Sequence, residues 1–196
     1  MAIFSVAGEG ILDLAVARKM LSRYGHQVAS EFDKGGKHRL DAAIPGYLNA
    51  ARFSPWLILR DLDDDGCPVA LLNQIAPNRH EIGGALIRLC NRSVESWLLA
   101  DRSGFARFFG LALAIVPANP DLLVDPKQVL IQCVSASRHR NLREGVIPRP
   151  GSGRKVGPEY NAVLSDFVNE IWDVDRGCDQ SNSLSRASGR IANFDA

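Results

Sequence analysis

Residues 56–65, Trp56-Leu57-Ile58-Leu59-Arg60-Asp61-Leu62-Asp63-Asp64-Asp65, pass from an apolar run to a burst of carboxylates. An unbroken apolar run of this length suits a strand buried on both faces, as in a parallel sheet covered by helices. Ligands of such sheets bind outside the carboxyl ends of the strands. The four acids stand at that end, where they repel one another unless they are solvated or share a cation. On an extended strand end Asp61 and Asp63, two apart, point the same way and reach one hard divalent ion. The plainer alternative is a solvated acidic turn.

The flanking sequence supports the sheet. Ile3 to Ala7 reads as a first strand and Leu12 to Leu21 as a helix, with Asp13 in its first turn. Gly25 closes that helix, and Gln27 to Phe32 reads as a second strand. His38 to Arg52 is helical in pattern, with a break expected at Pro45-Gly46. The central strand runs from Trp56 to Asp61, and a short helix from Val69 to Ile75 and a fourth strand from Ala85 to Cys90 follow. Val94 to Phe109 then reads as one strong helix, with Trp97, Leu98, Phe105 and Phe109 on one stripe. Strand and helix alternate, the signature of an open α/β sheet.

After Gly110 the pattern changes. Pro117, Pro120 and Pro126 punctuate a loop, Pro126 to Ser135 reads as a short helix, and Tyr160 to Trp172 as a clear one. The polar tail from Ser181 to Ala196 carries Leu184, Ile191 and Phe194, spaced to dock as one more helical turn. The expected organisation is an α/β core over residues 1–116, with a central, mainly parallel, Rossmann-like sheet flanked by helices. A smaller helical C-terminal extension, residues 117–196, packs on it.

Composition narrows the function classes. A net charge of +1 over 196 residues provides no global attraction to nucleic acid. Any basic surface must therefore be local. Between Arg138 and Lys155, five arginines and one lysine face the single acid Glu144, and the Gly/Pro/Arg-rich stretch from Glu144 to Pro158 reads as mobile. Its chemistry suits either a phosphate backbone or an exposed loop. The four cysteines are scattered without a CxxC pair, and the four histidines lack metal-binding spacing. No apolar run approaches a membrane span and no signal-peptide pattern opens the chain, so a cytoplasmic protein without membrane association is expected.

Three constellations carry chemistry. Gly8-Glu9-Gly10 lets the chain turn sharply and present Glu9 at the carboxyl edge, as general acid or base or as metal ligand. The plain reading is a strand-to-helix turn with Asp13 steadying the helix start. A dinucleotide site is a rival, because Gly8-x-Gly10 follows a strand and Glu31 or Asp33 lies about 20 residues on. Against it, Asp13 takes the third glycine position and Glu9 sits where a pyrophosphate would pass. Asp61 to Gly66 also matches the opening of a calcium EF-hand loop, but position twelve is Leu72 and a strand precedes it, so that reading fails. Lastly, Ser93 makes an N-cap for the next helix, with Asp101 on a solvent face. Arg92 and Glu95 there stand beyond the fourth strand, suited to holding a phosphate and completing a metal shell.

Together these stretches resemble the Toprim superfamily, which has a glutamate after the first strand and a DxD after a later one. Glu9-Gly10-x-x-Asp13 resembles the first motif and Asp61-Leu62-Asp63 the second. Within the superfamily the chain is most similar to a sparsely characterised bacterial Toprim-like family related to the overcoming-lysogenisation-defect nucleases. Arg92, Glu95 to Asp101, Asp125-Pro126-Lys127 and Gly157-Pro158-x-Tyr160 carry that likeness, which spans nearly the whole chain. Ala7-Gly8 departs from the β-branched residue that usually closes the first strand. A register with Ala7 in the glutamate position is therefore an alternative, and the Asp13 spacing favours Glu9.

The resemblance implies a Mg²⁺ (or Mn²⁺) site held by Glu9, Asp61 and Asp63, with Glu95 supporting catalysis and Arg92 and Lys127 on phosphate oxygens. It implies cleavage of DNA or RNA phosphodiesters, an ATPase partner in bacterial anti-phage defence, and room for a homo-oligomer. The alternative from another class is a non-catalytic Toprim-like subunit, binding metal or nucleotide for regulation or assembly.

Overall fold

The computed structural model describes residues 1–194. Four strands, β1 (Ile3–Gly8), β2 (Gln27–Asp33), β3 (Trp56–Asp61) and β4 (Ala85–Cys90), form one sheet in the order β2-β1-β3-β4. Every pairing is parallel, so the chain is an α/β protein with a Rossmann-like sheet. Helices α1 (Ile11–Arg23), α2 (Lys37–Ala50) and α3 (Pro68–Ile75) connect the strands. The C-terminal half is helical: α4 (Val94–Ala100), α5 (Arg102–Phe109), α6 (Pro126–Ser135), α7 (Arg140–Val146), α8 (Tyr160–Glu170), α9 (Val174–Cys178) and α10 (Asn182–Ala192).

Strand alternation divides the interior in two. Leu57 and Leu59 of β3 face a large core with Phe4 and Val6 of β1, while Trp56 and Ile58 face a smaller one with Leu40, Ile44 and Leu48 of α2. The large core runs without interruption from α1 (Val16, Met20) through α4 (Trp97) and α6 (Leu130) to α8 (Phe167) and α10 (Leu184, Ile191). The C-terminal helices thus share a core with the sheet. Leu184 and Ile191 are buried and Phe194 packs beside Phe4, whereas Asp195 and Ala196 lie outside the described residues. Among the described residues, no helix is long and apolar enough to cross a membrane.

Three expectations are corrected. Helix α2 runs unbroken through Pro45. A proline in a helix interior costs about 3 kcal/mol, but Leu40, Ile44 and Leu48 bury against β3, each contributing about 1.5–3 kcal/mol. The single helix expected over residues 94–109 is two, α4 and α5, broken at Asp101. Asp101 does not face solvent: it is fully buried, its carboxylate caps α5 through the Gly104 N–H and binds Arg176 through two N–H groups at 2.8 and 2.7 Å. The ends of the Gly/Pro/Arg-rich stretch from Glu144 to Pro158 are held together, because Gly157 N–H donates to Val146 O and Glu159 N–H to Gly145 O. Gly157 is required there, since a Cβ would lie 2.2 Å from Gly145 O.

Candidate functional site: a carboxylate rim

The chain leaves β1 toward β2 on one side and returns to β3 on the other. The crevice at the carboxyl ends of β1 and β3 is therefore the topological switch point, where open α/β sheets bind ligands. Glu9 follows β1 and Asp61 ends β3, so both border it. Ala7 is fully buried in the smaller core. The rim acid after β1 is thus Glu9.

Glu9 reaches across the crevice: its Oε1 accepts the Asp61 N–H at 3.0 Å and lies 3.7 Å from Arg60 Nε. Asp61 shares the face of Leu57 and Leu59, and its Oδ1 accepts the Val94 N–H at 2.9 Å, at the start of α4. The cap expected from Ser93 is supplied instead by this carboxylate from another strand. Ser93 Oγ itself is buried without a partner.

Asp13 is buried in the first turn of α1, where its Oδ2 accepts the Gly10 N–H at 2.8 Å. Gly8 makes that possible, because a Cβ at position 8 would stand 2.6 Å from Asp13 Cβ. Glu95, also buried, comes in from α4. Its Oε1 accepts the Tyr160 hydroxyl at 2.8 Å and lies 3.4 Å from Lys127 Nζ, while its Oε2 is buried without a partner.

These acids feel one another. Burial, with Glu95 and Glu9 pushing the same way against the Gly10 N–H, lifts Asp13 to about 7. Burial, reinforced by Asp13, Glu95 and Glu9, raises Asp61 well above the usual carboxylate range. Glu9 is raised chiefly by burial, against the Asp61 N–H and Arg60. Burial works against the Lys127 ammonium, but Glu95 and Asp61 prevail and raise it. Lys127 beside Glu95 and Arg60 beside Glu9 are too few cations to balance the four acids.

Asp63 goes elsewhere. β3 ends at Asp61 and Asp63 adopts φ 47°, so the alternation that would align the two carboxylates stops. Asp63 pairs with Lys37 at 3.0 Å, while Asp65 pairs with Arg60 at 2.7 Å. Arg60 is 2 % exposed and also binds both oxygens of Asp41. A buried arginine among apolar neighbours needs such partners. Arg92, at φ 61°, bonds Asp64 at 2.6 Å and the Asp63 carbonyl at 3.0 Å. Because Asp64 is 96 % exposed, that pair contributes little stability.

The structure thus brings Glu9, Asp61, Glu95 and Lys127 to one rim, with Asp63 and Arg92 on the adjoining loop. The sequence marks Asp13 as a helix-start residue and part of the Glu9-Gly10-x-x-Asp13 motif, and Tyr160 as a helix entry, but assigns no role to Arg60 or Lys37. Arg60, directly after the apolar run Trp56 to Leu59 and still within the strand, is the available signal for a buried charge network. Among the described residues, no three His, Cys, Asp or Glu side chains stand as a preset metal-holding group. Comparison of the chain with family models, characterised proteins and solved structures returned no match.

Proposed function

We propose that this rim is a Mg²⁺- or Mn²⁺-dependent site that cleaves nucleic-acid phosphodiesters, as its resemblance to Toprim proteins implies. The observation that carries the reading is the convergence of Glu9, Asp13, Asp61 and Glu95, from four separate elements, at the switch point of the sheet. The donor set fits a hard divalent ion. It offers only oxygen ligands, its acids are short of counter-charge, and Glu95 Oε2 is buried without a partner. Glu9 and Asp61 would hold the ion, with Asp63 joining when Lys37 releases it. When bound, the ion supplies Lewis acidity that offsets charge developing on the scissile phosphate.

The chain's own groups do the rest. Asp13, poised to gain or lose a proton near neutrality, and Glu9, more open at 15 % exposure, are the acid–base candidates. Lys127 and Arg92 neutralise phosphate oxygens. Arg138, Arg140, Arg149, Arg154 and Lys155, all exposed on and around α7 and the loop leading to Tyr160, track the strand backbone. An ATPase partner in anti-phage defence belongs to the same reading.

One observation favours the non-catalytic alternative. Asp13, Asp61 and Glu95 already have donors within the protein, so the cluster stands as a proton-sharing structural element. Incubation of purified protein with Mg²⁺ or Mn²⁺ and plasmid DNA or RNA separates the two. Cleavage abolished in Glu9→Gln and Asp61→Asn supports the enzyme. Metal-dependent thermal stabilisation without cleavage, with or without ATPase, assigns the regulatory role.

A further inference from the structure

On the far side of β3, strand β4 is the outer strand of the sheet, and α3 and α10 flank a cleft along it. The cleft has a volume of about 340 Å³, within the size range of small-ligand sites. One wall is apolar, formed by Leu62, Leu72, Ile87 and Leu89. Arg88 and Arg186 also line it, and Arg79 and Arg190 stand near enough to act on Arg88 electrostatically.

Among the described residues, none of these four arginines pairs with a carboxylate: Arg79 is spent on backbone carbonyls and Asn73. Arg88 Nε is buried with no acceptor. The one acid on the cleft wall, Asp121, is taken up by the hydroxyls of Ser181 and Ser183 and the Ser183 N–H. In a chain of net charge +1, such unpaired positive charge around a half-apolar cleft is an unmet demand for an anion. Burial and the neighbouring arginines push the Arg88 guanidinium down to about 10, the expected direction for cations gathered without a counter-ion.

We infer that this cleft is a second ligand site, separate from the carboxylate rim, that takes a nucleoside phosphate. Its phosphoryl group sits on Arg88 and Arg186, a geometry guanidinium forks favour. Its base lies on the leucine-lined wall, with the amide of Asn182 at hand for the base edge, while the Asn91 amide N–H is already donated to the Asp121 carbonyl. A free nucleotide and the phosphorylated end of a strand share this chemistry. The assignment does not rest on the reading of the rim.

Calorimetric titration of the full chain decides it. The probes are AMP, ATP, adenosine, inorganic phosphate, an acidic peptide, and an oligonucleotide with and without a 5′-phosphate. Expected is saturable binding of AMP or ATP, weakened about tenfold or more in Arg186→Glu and in Arg88→Gln, and retained in Glu9→Gln. Arg186 is exposed, so its replacement tests the site even where Arg88→Gln fails to fold. Binding of the 5′-phosphorylated oligonucleotide alone, with the same arginine dependence, supports the site and names the strand end as its source. Four results would overturn it: no phosphate ligand bound, binding indifferent to Arg186→Glu, inorganic phosphate bound as tightly as nucleotide, or capture of the acidic peptide alone. Binding lost in Glu9→Gln while Arg186→Glu is unaffected would move the nucleotide to the rim.

Discussion

Asp61 Oδ1 accepts the backbone N–H of Val94 at 2.9 Å, tying the end of β3 to the first turn of α4. The residue proposed to bind metal is therefore also a helix cap. Asp61→Ala loses the cap and should lower the unfolding free energy by about 1–2 kcal/mol in urea titration. Asp61→Asn keeps an acceptor oxygen and removes a poorly solvated charge, so at neutral pH it should match the parent or exceed it. Both should lack metal-dependent cleavage. The pair thus separates stability from chemistry.

The rim acids make a pH prediction of definite sign. Asp13 rises from an ordinary 3.8 to about 7 on folding, and Glu9 and Asp61 rise with it. Between these limits the folded state holds more protons than the unfolded one, so their contribution is largest in acid and falls as pH rises toward 7. Without divalent metal the protein should lose on the order of 1–4 kcal/mol of stability from this source between pH 4 and 7. Asp13→Asn should flatten that slope in denaturant titrations. Mg²⁺ should raise the melting temperature more at pH 8 than at pH 5, where protons hold the same oxygens.

Gly8→Ala probes the packing beneath the rim. Its added methyl would stand 2.6 Å from Asp13 Cβ, so Asp13 or the β1 turn must shift. Overpacking of this kind costs about 1–3 kcal/mol. Circular dichroism should show an intact fold with a lower melting point, and the thermal response to Mg²⁺ should weaken together with it.

Asp101 and Arg176 join the break between α4 and α5 to α9. Burial disfavours the Asp101 charge, but Arg176 and the N–H groups of Gly104 and Asp173 outweigh it and hold the carboxyl below its usual range. This contribution is present at neutral pH and is lost as pH falls through the depressed value, opposite in sign to the rim. Asp101→Ala should cost about 2–4 kcal/mol, since it strips a helix cap together with charge-assisted hydrogen bonds to Arg176, whose side chain is 42 % exposed. Arg176→Ala, which leaves Asp101 its two N–H donors, should cost less. Urea midpoints of the two variants give the order.

The strands were legible because each is a short apolar run with turn residues beside it. The third, Trp56 to Asp61, and the fourth, Ala85 to Cys90, coincide with the reading, and the first two each run one residue further. Helix α6 was equally plain, with Pro126 in its first turn and Asp125 accepting from Gln128 N–H. The break at Asp101 was not. The apolar stripe carries on through it, and the arginine that justifies a buried aspartate lies 75 residues away.

The alternation of strands and helices through β4, the parallel sheet and the placing of Glu9, Asp61 and Glu95 at or beyond strand ends follow from local patterns. Periodicity and turn chemistry act over a few residues and can be read there. Which acids share a field, and which are drawn off by a cation, was decided only when the chain closed. Asp13 joins Glu95, Asp63 goes to Lys37 and Arg60 gathers Asp41 and Asp65. Charge interactions depend on distance and burial in space, and neither is written in the spacing of residues along the chain.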